Sequence, residues 1–236
     1  MISLLVPAEC LAGEGWVVEG DSHRHLFRAR RLAAGDRVRL ADGAGAARWA
    51  EVAAVDKKSA RLRLGEAAPV PEPAARLTLL VAAPKKERAS WLIEKATELG
   101  VAAVRFMETE RTPREFGEGT LRRLERVAAA AFEQCGRGVL PEVSGTHGWG
   151  EVRGLLTAGG PSQARWVLDL VAGAVGGGEM RAVDGKVVVV VGPEGGWTEE
   201  EQRVLGEWGC RAVVLGPTVL RVETAAVVGA GLVING

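Results

Sequence analysis

Apolar and polar positions change rhythm once along this chain, near residue 72, and the change predicts two kinds of structure. Before it the pattern is short and β-like. Arg37 to Ala41 alternates, Asp42-Gly43 offers a turn, and Arg48 to Val55 and Ser59 to Leu64 supply further strands. Residues 1–72 therefore read as a small β-barrel. The stretch Ala67 to Ala75, AAPVPEPAA, has three prolines and no periodicity, which marks an extended linker.

Beyond the linker, strands alternate with helices. Leu77 to Ala82 is a short apolar strand. Leu92, Ala96 and Leu99 fall at helical spacing within Glu87 to Leu99, Gly100 is the helix stop, and Val101 to Met107 follows as a strand. Leu121, Leu124, Ala128, Ala131 and Cys135 mark one face of a longer helix that ends at Gly136. Arg165 to Val171 and Lys186 to Val191 are rich in β-formers. The second is apolar without alternation, as in a parallel strand covered on both faces. Residues 73–236 thus form an α/β domain, with Gly173 to Gly178 as a mobile loop.

Composition narrows the class. Apolar residues make up 47% and charged residues 25% of the 236, as in an ordinary globular protein. Lysine plus arginine (30) equals aspartate plus glutamate (30), so attraction to nucleic acid has to come from local patches. One such patch runs from Arg24 to Arg39, where six arginines and His25 face a single acid, Asp36. Cys10, Cys135 and Cys210 lack CxxC spacing, which indicates neither a disulfide framework nor zinc and fits a reducing cytoplasm. His23 and His25 sit two apart with no third ligand in view, so no metal is expected. MISLLVPAEC lacks a basic start and a long apolar run, and Lys186 to Val191 is too short to span a bilayer, so no membrane is expected either. Of seven tryptophans, Trp91, Trp166 and Trp208 fall within elements and are expected in the core.

Two motifs carry chemistry. Val187 to Val191 runs directly into Gly192-Pro193-Glu194-Gly195-Gly196-Trp197, after which Thr198 and Glu201 have the spacing of a capping box that opens a helix. Glycines between strand and helix let a backbone approach a ligand closely, at the sheet end where α/β folds keep their sites. The loop lacks the Lys-Ser/Thr ending of a nucleotide P-loop, and its glutamate would repel phosphate. Gly173 to Gly178 reads GAVGGG, which is no dinucleotide fingerprint. The second motif, Leu215 to Ala226, is again a strand end and a Gly-Pro turn, followed by a helix of small residues that can pack very closely.

Together, GPEGGWTEEE and LGPTVLRVETAA resemble the signature of the SPOUT methyltransferases, in particular the bacterial family that methylates uridine N3 in 16S ribosomal RNA. KKERASWLIEKATELG (Lys85 to Gly100), Glu110-Arg111-Thr112, FEQCGRGVLPEV (Phe132 to Val143) and HLFRARRLAAGDRVRLADG (His25 to Gly43) resemble it too. The resemblance implies a deep trefoil knot near the C-terminus, an exception to the usual topology rules, and a PUA-like barrel that assists RNA binding. It implies S-adenosylmethionine bound in the knot by Gly192, Pro193, Glu194, Gly195, Gly196, Leu215, Gly216, Val219, Leu220, Thr224 and Ala225. The loop after Val171 would close over it, with Trp197 beside it. It further implies a homodimer packed through the knot, with Val222 to Val233 in the interface, acting on the small ribosomal subunit.

Uridine N3 carries a proton at neutral pH, so the reaction needs that proton removed or the resulting anion stabilised. Arg221 is the candidate cation, since its planar fork suits two base oxygens; its other role would be an internal ion pair with Glu223 or Glu194. Glu223 and water are both candidates for the base. The expected RNA contacts are Arg24, Arg28, Arg30 and Arg31 in the barrel and Lys85, Lys86, Arg88, Arg111 and Arg137 beyond it, acting mainly on phosphates. Two other readings compete. One is a ribose 2′-O-methyltransferase of the same fold, which KATELG and the EQxGR-like stretch argue against; the other is a non-catalytic RNA-binding assembly factor, which the intact glycines argue against.

Overall fold

The computed structural model describes residues 2–24, 27, 32–73, 76–112, 115–158, 160, 163–170, 174–181 and 185–235, and its contacts divide the chain into two units. The first comprises Met1–Glu72 with Phe132–Leu140; the second comprises Pro73–Ala131 and Pro141–Gly236.

In the first unit, β1 (Ser3–Leu5), β2 (Gly15–Glu19), β3 (Arg37–Ala41), β4 (Ala47–Val55) and β5 (Ser59–Ala67) form a sheet in the order β1-β3-β4-β5-β2; a short helix, α1 (Gly20–His23), follows β2. The alternation of β3 to β5 has its physical reason in the core they build. Val38, Leu40, Ala50, Val52, Leu62 and Leu64 point inward with Leu4, Val6 and Val18. The Asp42 carboxylate accepts the N–H groups of Ala44 and Ala46 at 2.8 and 3.0 Å, which shapes the turn between β3 and β4. His23 donates its Nε2–H to the Asp56 carbonyl (3.1 Å) and stacks on Phe27; His25 lies outside the described residues.

Residues 132–140 belong to this unit through specific bonds. Phe132 is fully buried against Ala41, Ala47 and Ala68, and Glu133 accepts the Leu5 N–H at 2.9 Å. Glu72 accepts the N–H groups of Gly138 and Val139 (2.8 and 2.7 Å) and pairs with Arg137 at 2.9 Å. Arg39 is buried, and donates to Ser3 Oγ at 3.0 Å, to the Pro69 carbonyl at 3.1 and 3.2 Å, and to the Arg137 carbonyl at 3.2 Å. Burial pulls its pKa down from the ordinary arginine value, the direction desolvation of a cation dictates.

The second unit is a parallel sheet in the order β10-β12-β9-β11-β6-β7-β8 with helices between its strands. In chain order it contains β6 (Arg76–Ala82), α2 (Lys86–Leu99), β7 (Ala103–Met107), α3 (Glu118–Cys135), β8 (Glu142–His147), α4 (Trp149–Thr157), β9 (Ala164–Leu168), β10 (Val175–Gly176), β11 (Lys186–Val191), α5 (Glu199–Glu207), β12 (Arg211–Val214) and α6 (Val222–Asn235); the last turn of α3 counts with the first unit. β11 pairs with both β6 and β9, so all five of its valines are buried, which is why it shows no alternation. Gly100 ends α2 at φ 91°, and a Cβ there would lie 2.3 Å from Pro73.

Some expectations need correction. Trp91 is 43% exposed on α2, so it is no core residue, whereas Trp166 is 5% exposed. Val175–Gly176 pairs with β12, so the glycine-rich stretch is at least there an edge strand and not a free loop. β8 and α4 were not foreseen, whereas the strand end read at Leu215 is that of β12; β8 is a half-exposed edge strand whose EVSGTH sequence carries no apolar rhythm. Among the described residues no helix is long and apolar enough to cross a membrane.

Candidate functional site

β12, β9 and β11 are neighbours in the sheet, and the loops that leave their carboxyl ends meet. They enclose a cleft of about 300 Å³ lined by Leu168 to Leu170, Val191 to Trp197, Val213, Leu215, Gly216, Thr218 to Leu220, Val222 and Ala225. That is where open α/β sheets place ligands.

The first loop is a tight turn. The Gly196 N–H donates to the Pro193 carbonyl at 2.9 Å, and Gly196 sits at φ 73°, a conformation that favours glycine. Gly192 has a different reason to be glycine, because a Cβ there would lie 2.6 Å from the Trp197 ring. Trp197 is itself buried, its Nε1 donating to the Leu168 carbonyl at 3.4 Å. The loop ends in the capping box: Glu201 N–H donates to Thr198 Oγ1 at 3.2 Å, and Thr198 N–H to Glu201 Oε2 at 2.9 Å.

A second layer holds this loop from outside. The Arg111 guanidinium donates to the Gly195 carbonyl, and to those of Gly196 and Trp197 at 3.4 Å each. Glu110 N–H donates to Glu201 Oε1 at 2.9 Å. From α2, Arg88 pairs through Nη1 with Glu194, and its Nε lies 3.7 Å from Glu223 Oε1, so one guanidinium joins a carboxylate from each glycine-bearing motif.

Ten of the eleven residues expected around a cofactor line the cleft: Gly192, Pro193, Glu194, Gly195, Gly196, Leu215, Gly216, Val219, Leu220 and Ala225. Thr224 does not; it is half-buried on α6. Arg221 is exposed beside the lining residues Leu220 and Val222 and makes no side-chain bond among the described residues, so the ion pair considered for it is made by Arg88 instead. Glu223 does not line the cleft. It is buried, with Oε2 unpartnered, behind Arg88.

Of the expected RNA contacts, Arg24, Lys85 and Lys86 are exposed, while Arg28, Arg30 and Arg31 lie outside the described residues. Two need correction: Arg137 is 5% exposed and bonded to Glu72, and Arg88 is engaged by two carboxylates. Arg111 is exposed, and its guanidinium also meets loop carbonyls. Arginine composition alone did not separate the buried or paired arginines from the others.

Sequence reasoning missed Asp169 and Thr218. Asp169 follows β9 into the cleft and accepts from Gln202 Nε2 at 2.8 Å and from Leu170 N–H at 2.8 Å. The apolar run that ends at Leu168 was the signal available, since polar residues just past a parallel strand sit at the site end of the sheet. The loop expected after Val171 falls outside the described residues.

A family model described as an RNA methyltransferase domain matches residues 71–234, and one described as an RNA methyltransferase PUA domain matches residues 18–65. A relative from Mycobacterium bovis, named ribosomal RNA small subunit methyltransferase E, is 31% identical over 249 residues, spanning 99% of this chain and 92% of that protein. A solved structure of ribosomal RNA small subunit methyltransferase E from Neisseria gonorrhoeae, bound to S-adenosyl methionine, superposes with a TM-score of 0.86 at 28% identity, covering 98% of this chain and 95% of that one. A probable rRNA-methyltransferase from Porphyromonas gingivalis gives 0.82 at 27% identity, with 98% and 95% covered.

Proposed function

The chain belongs to the RNA methyltransferase family, and on that premise we propose that it transfers the methyl group of S-adenosylmethionine to N3 of a uridine in 16S ribosomal RNA. The observation that carries this reading is the meeting of two glycine-bearing turns, fifteen or more residues apart in sequence, around one cleft at the carboxyl ends of β9, β11 and β12.

The residues present fit the donor. Leu168, Val213 and Leu215 offer apolar walls for an adenine, and Asp169 offers a carboxylate to hydroxyl groups. When bound, S-adenosylmethionine supplies an electrophilic methyl carbon. Arg221, exposed at the cleft edge and without a side-chain partner among the described residues, stabilises the uridine anion that forms as N3 loses its proton to water. Glu223 acts on the turns through Arg88, not on the base. Holding N3 in line with the methyl carbon supplies much of the remaining acceleration.

Arg24, Arg28, Arg30 and Arg31 in the first part of the chain, and separately Lys85 and Lys86 in the second, are assigned to RNA phosphates. We further propose a trefoil-knotted C-terminal region and a homodimer packed through α6, where Val228 (38%) and Leu232 (36%) stand exposed. The site of action is the small ribosomal subunit, in the cytoplasm. Nucleoside mass spectrometry of ribosomal RNA tests the assignment: deleting the gene removes 3-methyluridine and a plasmid copy restores it. Persistence of 3-methyluridine after deletion would refute it, and loss of a ribose-methylated nucleoside instead would move the target atom to the ribose 2′-oxygen.

A further inference from the structure

Residues 109–112 form a small turn of their own, closed by the Thr112 N–H donating to the Thr109 carbonyl at 3.1 Å and tied to β8 by the Glu108 N–H on the His147 carbonyl at 3.1 Å. Each residue after Thr109 meets the glycine loop. Glu110 donates its N–H to Glu201, Arg111 places its guanidinium on three successive carbonyls, and Thr112 shares a small recess with Pro193 and Glu194. Three carbonyl oxygens aimed at one point repel each other unless a cation sits among them. In a trans peptide the N–H points away from the C=O of the same unit. Carbonyls drawn towards Arg111 therefore turn the following N–H groups the other way, and two of these make the bonds that define the loop: Gly196 N–H to Pro193, and Thr198 N–H to Glu201.

We propose that Arg111 is a positioning residue for the methyl-donor site, a guanidinium brace that sets the peptide orientations of Gly195 to Thr198 from outside the cleft, and not a contact to RNA. The proposal rests on the function assigned above. It concerns an arginine in a segment that carries no cleft-lining residue of its own. All three carbonyls are met by one nitrogen, Nη1, so a lysine keeps the positive charge but has to bring a shorter, more strongly hydrated ammonium to the same point and replaces the brace only in part.

The test compares the full-length wild type with Arg111→Ala and Arg111→Lys. For Arg111→Ala, calorimetry with S-adenosylmethionine should show affinity weakened about tenfold or more, the loss of charge-assisted bonds to the loop. Methyl transfer at saturating donor should stay within about threefold, so the defect falls on KM and not on kcat. Arg111→Lys should fall between. Guanidinium ion at low millimolar concentration should partly restore donor affinity to Arg111→Ala, a rescue that general loss of packing would not permit. RNA affinity in a filter assay should not change. A fall in RNA affinity with donor affinity intact overturns the proposal, as does donor binding equal to wild type or a defect confined to kcat. If the wild type itself does not bind S-adenosylmethionine, the functional reading fails separately. The brace is then read by amide hydrogen exchange of Gly195 to Thr198, which should quicken in Arg111→Ala; unchanged exchange overturns it.

Discussion

At the scale of single residues, the site depends on atoms that are absent as much as on those present. Gly192 is in contact range of Trp197 with no room for a methyl group, so Gly192→Ala forces the indole or the loop to shift. Overpacking of this kind costs about 1 to 3 kcal/mol. The expected result is a lower thermal midpoint together with weaker S-adenosylmethionine binding in calorimetry; an unchanged melt would mean that the indole swings aside freely. Arg221 poses the opposite test, because its side chain holds no group among the described residues. Arg221→Ala should lower methyl transfer by about a hundredfold while donor affinity and melting stay close to wild type, as expected for a group acting on developing charge. A loss of transfer in proportion to donor binding would make it a structural residue. Arg88, which does hold two carboxylates, should behave in the structural way.

At the scale of elements, the helix that follows the glycine loop is fixed at its first residue. Thr198 and Glu201 satisfy each other's backbone N–H groups, and Glu201 also receives Glu110, so the cap of α5 is part of the loop's support. Thr198→Ala should destabilise the protein by about 1 kcal/mol in urea unfolding. Because the cap also orients the loop, donor affinity should weaken in the same variant; a stability loss with unaltered donor affinity would uncouple the two. This element was legible from its T-x-x-E spacing, as was β11 from its unbroken valines. β8 was not, since an edge strand draws its order from pairing with its neighbour and needs no periodic signal of its own.

At the scale of the whole chain, the first unit is not a contiguous stretch. Phe132, Glu133 and the Arg137 carbonyl reach it from a segment some sixty residues further on, and the buried Arg39 depends on that carbonyl for one of its four bonds. A fragment that stops at Glu72 therefore leaves a buried cation with fewer acceptors and Ala41, Ala47 and Ala68 without Phe132. It should lack the cooperative thermal transition of the intact protein in circular dichroism. A fragment with a sharp melt at the same temperature would show that residues 132–140 are dispensable.

The sequence by itself determined the two structural styles, the strand-to-helix loop with its cap, and the residues of both glycine motifs, because these are local: periodicity, capping and turn chemistry act over a few neighbouring positions. Only the tertiary structure decided which charged groups are held by acceptors within the protein. Arg39, Arg88, Arg111 and Arg137 look alike in a sequence with balanced charge, yet each is held by acceptors dozens of residues away. An arginine's role is set by what surrounds its guanidinium, and that surrounding exists only once distant segments have come together.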